Sequence, residues 1–181
     1  MDLMLHPPAP FRLRSMTAAD LTAVRSIDRR SFPTPARRGL FEYELAQNDI
    51  AHYQVLTAGD DGVVGFAGCW IIGDEVHVST IAVDPDWRGK GLGELLLLNL
   101  LHLAGRKPVT MVTLEVRTSN QTAQNLYAKY HFEVVGRRRR YYKDTGEDAL
   151  IMTVQALNAS YSCFVQQQAE KLFARLESAL S

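Results

Sequence analysis

The sequence predicts an α/β fold: a mixed central β-sheet flanked by helices, with an extra amphipathic helix at the C-terminus. Three observations carry this. Strand-like runs alternate with helical ones over residues 11–155, an order that gives a layered α/β sheet with mixed pairing. A glycine-dense turn, Arg88-Gly89-Lys90-Gly91-Leu92-Gly93, joins a β-branched run (Val76 to Val83) to a leucine-rich stretch (Leu92 to Leu103). In the tail, Tyr161, Phe164, Val165, Ala169, Leu172, Phe173, Leu176 and Leu180 recur at steps of three and four, which is helical periodicity.

Each element follows from local pattern. Phe11 to Arg14 alternates apolar and basic residues and reads as a first strand. Thr17 and Asp20 form a capping box ahead of Leu21, Val24 and Ile27 at helical spacing. Phe32-Pro33-Thr34-Pro35 ends that helix, and Phe41 to Leu45 begins another. His52 to Thr57 and Val63 to Ile72 are strands joined by Gly59-Asp60-Asp61-Gly62, a hairpin signal. A strand over 76–83, the turn and a helix over 91–105 follow. Thr110 to Val116 is the next strand and Gln121 to Tyr130 a helix. Val134 to Tyr142 and Leu150 to Gln155 are strands around Asp144-Thr145-Gly146. Residues 11–155 then make one domain and 156–181 a helical extension. Helix 91–105 carries leucines almost all round, more than one sheet face buries. The tail helix is expected to cover the surplus, within the chain or across a dimer.

Composition removes several function classes. Lysine plus arginine and aspartate plus glutamate number 20 each over 181 residues. No global field therefore steers the chain to nucleic acid or an anionic membrane. Cys69 and Cys163 are the only cysteines, and the five histidines are scattered, so neither a disulfide scaffold nor a metal is expected. Met1 to Pro10 holds Asp2 and three prolines and lacks the basic start and apolar core of a signal peptide. The apolar stretch after Gly93 is interrupted by Glu94, Asn99 and His102 and is too short to span a bilayer. A cytoplasmic protein, monomer or homodimer, is the expectation.

The glycine turn points to an anion. The first turn of a helix leaves N–H groups unpaired and carries the positive end of the dipole. Glycines let a phosphate approach them without a Cβ in the way. The spacing is not that of a P-loop, since no glycine lies five residues before a Gly-Lys-Ser/Thr triplet. Nor is it the dinucleotide fingerprint, because Gly89, Gly91 and Gly93 alternate and Glu94 follows.

The flanks add specificity. Ile81-Ala82-Val83-Asp84-Pro85 before Arg88 to Gly93, then Leu114-Glu115-Val116-Arg117-Thr118-Ser119-Asn120, Leu126-Tyr127 with Phe132, Tyr141-Tyr142 and Glu147-Asp148-Ala149, resemble the GNAT acetyltransferase superfamily. Within it the series is similar to the ribosomal-protein-alanine N-acetyltransferase (RimI-like) branch, over roughly residues 11 to 155. The resemblance implies acetyl-coenzyme A as cosubstrate and the N-terminal alanine of the eighteenth small-subunit ribosomal protein as acceptor. It puts the backbone of Ile81, Ala82 and Val83 along the pantetheine arm, with an N–H at the Val83 end polarising the thioester carbonyl. The diphosphate falls on Arg88, Gly89, Lys90, Gly91, Leu92, Gly93 and Glu94, and Asn120 also touches the pantetheine chain. Glu115 becomes the general base and Tyr127 the general acid.

Plainer roles stand beside these. The side chains of Ile81 and Val83 suit a core. Glu115, costly to bury unpaired, has Arg117 two residues on and therefore on the same strand face as a possible ion-pair partner. Tyr127 suits an apolar helix face, and Asn120 is a natural N-cap. Neither cysteine has a nearby histidine to make it an acyl-enzyme nucleophile. Arg137 to Arg140 reads as a solvated edge or a coenzyme-facing strand in preference to a nucleic-acid patch.

Two positions depart from the family pattern. His131 stands where a glycine usually precedes the phenylalanine after the Tyr127 helix. Ala36 stands where an aromatic often follows the second proline, which bears on the acceptor pocket. Two other functions compete: acetylation of a small amine, for which the basic Ala36-Arg37-Arg38 is a poor lining, and a non-catalytic acyl-coenzyme A-binding module.

Overall fold

The computed structural model describes residues 4–155 and 157–180. Seven strands form one sheet: β1 (Phe11–Ser15), β2 (Ala51–Ala58), β3 (Val63–Ile72), β4 (Glu75–Val83), β5 (Met111–Arg117), β6 (Glu133–Tyr142) and β7 (Glu147–Gln155). Their spatial order is β1-β2-β3-β4-β5-β7-β6. Among the described residues only β4 and β5 pair in parallel. The helices are α1 (Leu21–Ser31), α2 (Leu40–Gln47), α3 (Leu92–Ala104), α4 (Gln121–Lys129) and α5 (Ala159–Leu180). No helix among the described residues is long and apolar enough to cross a membrane.

The sheet separates two cores. On one face Val24 and Ile27 of α1 and Phe41 of α2 pack with Tyr53, Val55 and Phe66. Phe41 meets Tyr53 and Phe66 edge-on, with ring centroids 5.9 and 5.6 Å away. Gly68 is small because the Tyr53 ring lies across it: a Cβ there would sit 2.4 Å from a ring carbon. On the other face α3 is buried on nearly every side. Tyr161, Val165, Ala169, Leu172 and Leu176 of α5 belong to the same core. The tail therefore covers the leucine surplus within the chain.

Polar side chains buried against α3 are paired. Gln54 donates to the Leu96 carbonyl at 2.9 Å and accepts from Asn99, whose carbonyl oxygen takes the Leu5 N–H at 2.8 Å. Asn99, an interruption of the leucine pattern, thus fastens the N-terminal segment to α3. The capping box at Thr17 and Asp20 forms as expected, and Arg14 adds a two-pronged contact to Asp20 at 2.7 Å on each oxygen.

The Arg14 contact is the main reason the Asp20 carboxyl is held down at about 2. A depressed carboxyl stabilises the fold above its unfolded value near pH 4, and this is lost as pH falls through the folded value. Asp20→Asn is expected to lower stability by about 2 kcal/mol at neutral pH, with the gap from wild type closing toward about pH 2. Urea unfolding of both proteins at several pH values measures it. A gap that does not change with pH contradicts the assignment.

Candidate active site

The sheet opens along one seam. β4 and β5 pair from Glu75 with Met111 to Val78 with Leu114 and no further, although both strands continue. The break coincides with a β-bulge in β4, where Gly68 pairs with Thr80 but Cys69 with Val78, leaving Ser79 unopposed. An extra residue bends its strand and ends pairing. It also changes phase: Val76 and Val78 face the α3 core before the bulge, and Ile81 and Val83 face it afterwards. Their side chains are core, as the plainer reading has it.

The backbone beyond the bulge has another direction. The Asp84 N–H donates to the Val64 carbonyl at 2.9 Å. In an antiparallel ladder hydrogen-bonded pairs alternate with non-bonded ones, so Ala82 points its N–H and C=O at β3 while Ile81 and Val83 point theirs into the seam. The Val83 carbonyl accepts from the Ser31 hydroxyl at 3.4 Å and Arg88 Nε at 3.2 Å. The Ile81 and Val83 amides lie on the edge of β4 beyond its last pair with β5, the kind of backbone edge to which an extended chain can add.

The glycine turn closes one end of the seam. Asp84 caps a 3-10 turn over Pro85–Trp87, and Arg30 braces it by reaching Asp84 at 2.7 Å and Asp86 at 2.8 Å. Gly89 and Gly91 have φ of +78° and +80°, a region that side chains disfavour. Gly91 is the N-cap of α3 and offers no side chain to the first-turn N–H groups, which stay available to an anion. Lys90 Nζ lies 5.5 Å above the Trp87 ring. Among the residues grouped with the coenzyme, the Glu94 side chain is committed elsewhere: its carboxylate turns to Lys129, Tyr130 and Arg175.

Glu115 lies just past the last β4–β5 pair. Leu114 and Val116 enter the α3 core, so alternation sends Glu115 to the opposite face of the sheet. Its ion-pair partner is Arg138 of the edge strand β6, at 3.0 Å, and not Arg117. Arg117 pairs with Asp144 at 2.6 Å and Glu147 at 3.5 Å, and its guanidinium lies 3.8 Å from the Tyr142 ring centre. Sequence spacing places Arg138 and Tyr142 on an edge strand but not beside Glu115 and Arg117, because their proximity to β5 needs the β5-β7-β6 order.

Asn120 caps α4, accepting the Ala123 N–H at 3.1 Å. One helical stretch on, Tyr127 packs against the α3 core with its ring 5.8 Å from Phe132. Burial, helped by Tyr142, pushes the Tyr127 phenol up to about 12. The Tyr130 hydroxyl, three residues on, is bonded to Glu94 at 2.6 Å.

An acetyltransferase (GNAT) family model matches residues 21–132, spanning α1, the glycine turn and α4. The chain belongs to the GNAT acetyltransferase family. A Bacillus subtilis (strain 168) relative, provisionally named a ribosomal protein bS18-alanine N-acetyltransferase, is 40% identical over 142 residues, 78% of this chain and 93% of that protein. The Escherichia coli (strain K12) ribosomal protein bS18-alanine N-acetyltransferase is 34% identical over 144 residues, 78% and 95% of the two chains. A crystal structure of the Escherichia coli ribosomal-protein-S18-alanine N-acetyltransferase superposes with a TM-score of 0.74 at 33% identity, covering 80% of this chain and 93% of that one.

The two departures from the GNAT pattern have different outcomes. His131 adopts the left-handed conformation usual for glycine, with φ of 64°. Phe132 N–H returns to the Tyr127 carbonyl at 3.1 Å and His131 N–H to Ala128 at 3.0 Å, the bonding of a Schellman cap. The imidazole stacks on Phe164 of α5 at 4.5 Å, a contact glycine lacks. Ala36 donates its N–H to buried Asp28 at 2.7 Å. It lines a cavity of about 450 Å³ with Arg25, Arg29, Arg37 and Arg38. A second cavity, about 500 Å³, is lined by Met4, Tyr53, Cys69, Leu100 and Lys107 among others and contains none of the candidate residues.

Proposed function

We propose that this GNAT chain acetylates the N-terminal α-amine of ribosomal protein bS18 at alanine, with acetyl-coenzyme A as donor. What supports the reading is the seam: β4 runs on past its last pair with β5 to a glycine turn, Glu115 follows that last pair on one sheet face, and Tyr127 packs with the α3 core on the other. The acceptor is taken from the relatives named for bS18-alanine acetylation, which this chain matches over nearly their full length.

The thioester supplies an activated acetyl group. Ile81 and Val83 amides hold the pantetheine arm, Asn120 supports it, and first-turn N–H groups of α3 with Lys90 hold the diphosphate. An α-amine has a pKa near 8, so making it neutral at pH 7 costs about 1 kcal/mol. Glu115 takes that proton through water, and Tyr127 provides the proton taken up by the departing sulfur. The Val83 N–H polarises the acetyl carbonyl.

Incubation with acetyl-coenzyme A and a peptide of the bS18 N-terminus, read by mass spectrometry, is the test. The expected product is a singly acetylated peptide, modified at the α-amine. The same peptide with a blocked N-terminus stays unmodified. Preferential acetylation of polyamines or aminoglycosides overturns the acceptor, and thiol release with no acceptor modified overturns the activity.

A further inference from the structure

The C-terminal helix lies outside the segment matched by the family model, yet it touches both halves of the candidate site. Its contact with the glycine turn is charged. Glu94 is the third residue of α3, within the turn whose N–H groups face the anion cradle. A carboxylate there competes with a bound diphosphate for the same N–H groups and repels it. In this chain it is drawn aside. One oxygen accepts the Tyr130 hydroxyl at 2.6 Å and the Lys129 ammonium, and the other accepts Arg175 at 2.8 Å.

Three further contacts accompany the charge. Leu172, one turn before Arg175, lies 3.0 Å from the place a Cβ on Gly91 would occupy. The Tyr161 hydroxyl donates to the Tyr130 carbonyl at 2.9 Å, and Phe164 stacks on His131. The first secures the glycine turn, and the other two secure the end of α4, a few residues from Tyr127. Apolar burial explains why α5 docks but not why it brings a cation to Glu94. Arg175 is 60% exposed, and a surface ion pair adds little stability.

We propose that α5 is a positioning element of the coenzyme site. Arg175, together with Lys129, cancels the charge of Glu94 and holds its carboxylate off the head of α3, leaving the first-turn N–H groups to a diphosphate. Leu172 seats Gly91 behind them. The inference rests on the reading of the turn as the diphosphate site.

The test is calorimetric binding of coenzyme A and of pantetheine, which lacks the diphosphate, to the full-length protein. Arg175→Gln is expected to weaken coenzyme A binding roughly fivefold at low salt, with little effect on pantetheine. The loss shrinks in concentrated salt, and Arg175→Lys restores most of it. Glu94→Gln binds at least as tightly as wild type, and Glu94→Gln with Arg175→Gln returns to within about a factor of two of it. Melting curves recorded alongside separate binding from folding. Wild-type protein that binds coenzyme A no better than pantetheine overturns the reading of the turn, and this inference with it. A clear wild-type preference that Arg175→Gln leaves intact, or a double variant as weak as Arg175→Gln, overturns the role of α5 alone.

Discussion

Glu115→Gln is expected to lower kcat/KM toward an N-terminal alanine peptide on the order of 10²-fold or more, leaving coenzyme A affinity within about a factor of two. The amide keeps the size of the carboxylate and an oxygen for Arg138 but takes up no proton. The pH dependence sharpens the test. Near neutrality most of the acceptor is an ammonium ion, and the base removes its proton. Above the amine's own pKa, near 8, the acceptor is already neutral, so the defect is expected to shrink there. Initial rates with wild type and variant between about pH 6.5 and 9.5 give the comparison. Equal rates remove Glu115 from the chemistry.

Tyr127→Phe is expected to cost a similar factor, on the order of 10²-fold in kcat, with KM for the coenzyme little altered. The ring stays, so its packing beside Phe132 and the melting temperature are retained. Only the hydroxyl is lost. Because burial holds the wild-type phenol near 12, it remains protonated through the neutral and mildly alkaline range. A raised phenol extends the acid form upward in pH, so no fall in wild-type rate between about pH 8 and 10 is expected to originate at Tyr127. An alkaline loss of activity in that interval that disappears in Tyr127→Phe contradicts this assignment, as does a variant with wild-type turnover.

The experiments bear on residues whose roles were open in different degrees from the sequence. Gly89 and Gly91 were legible because a left-handed turn before an apolar helix narrows the residue choice. Their observed φ values agree. Glu115 is legible as a carboxylate in a strand, but its ion-pair partner is not. Sequence spacing offers Arg117, whereas Arg138, distant in the chain, reaches it across the sheet. At Glu94 the tertiary structure adds what spacing does not show. Its place in the glycine motif suggests a ligand contact, while partners from α4 and α5 claim its side chain.

The sequence by itself determined which segments are strands and which are helices, the caps at Thr17 and Asn120, and that a glycine turn stands at the head of α3. These depend on periodicity, turn chemistry and capping, all settled within a few residues. It also determined that α3 needed a second cover, since a helix apolar all round cannot stand with one side in water. The tertiary structure alone decided that β7 lies between β5 and β6, that Arg138 meets Glu115, and that the bulge at Ser79 ends β4–β5 pairing. Strand order and register are fixed by pairing between distant segments, and the shift of apolar positions from 76 and 78 to 81 and 83 does not by itself say where pairing with β5 ends. The seam that makes the site is thus a property of the assembled sheet.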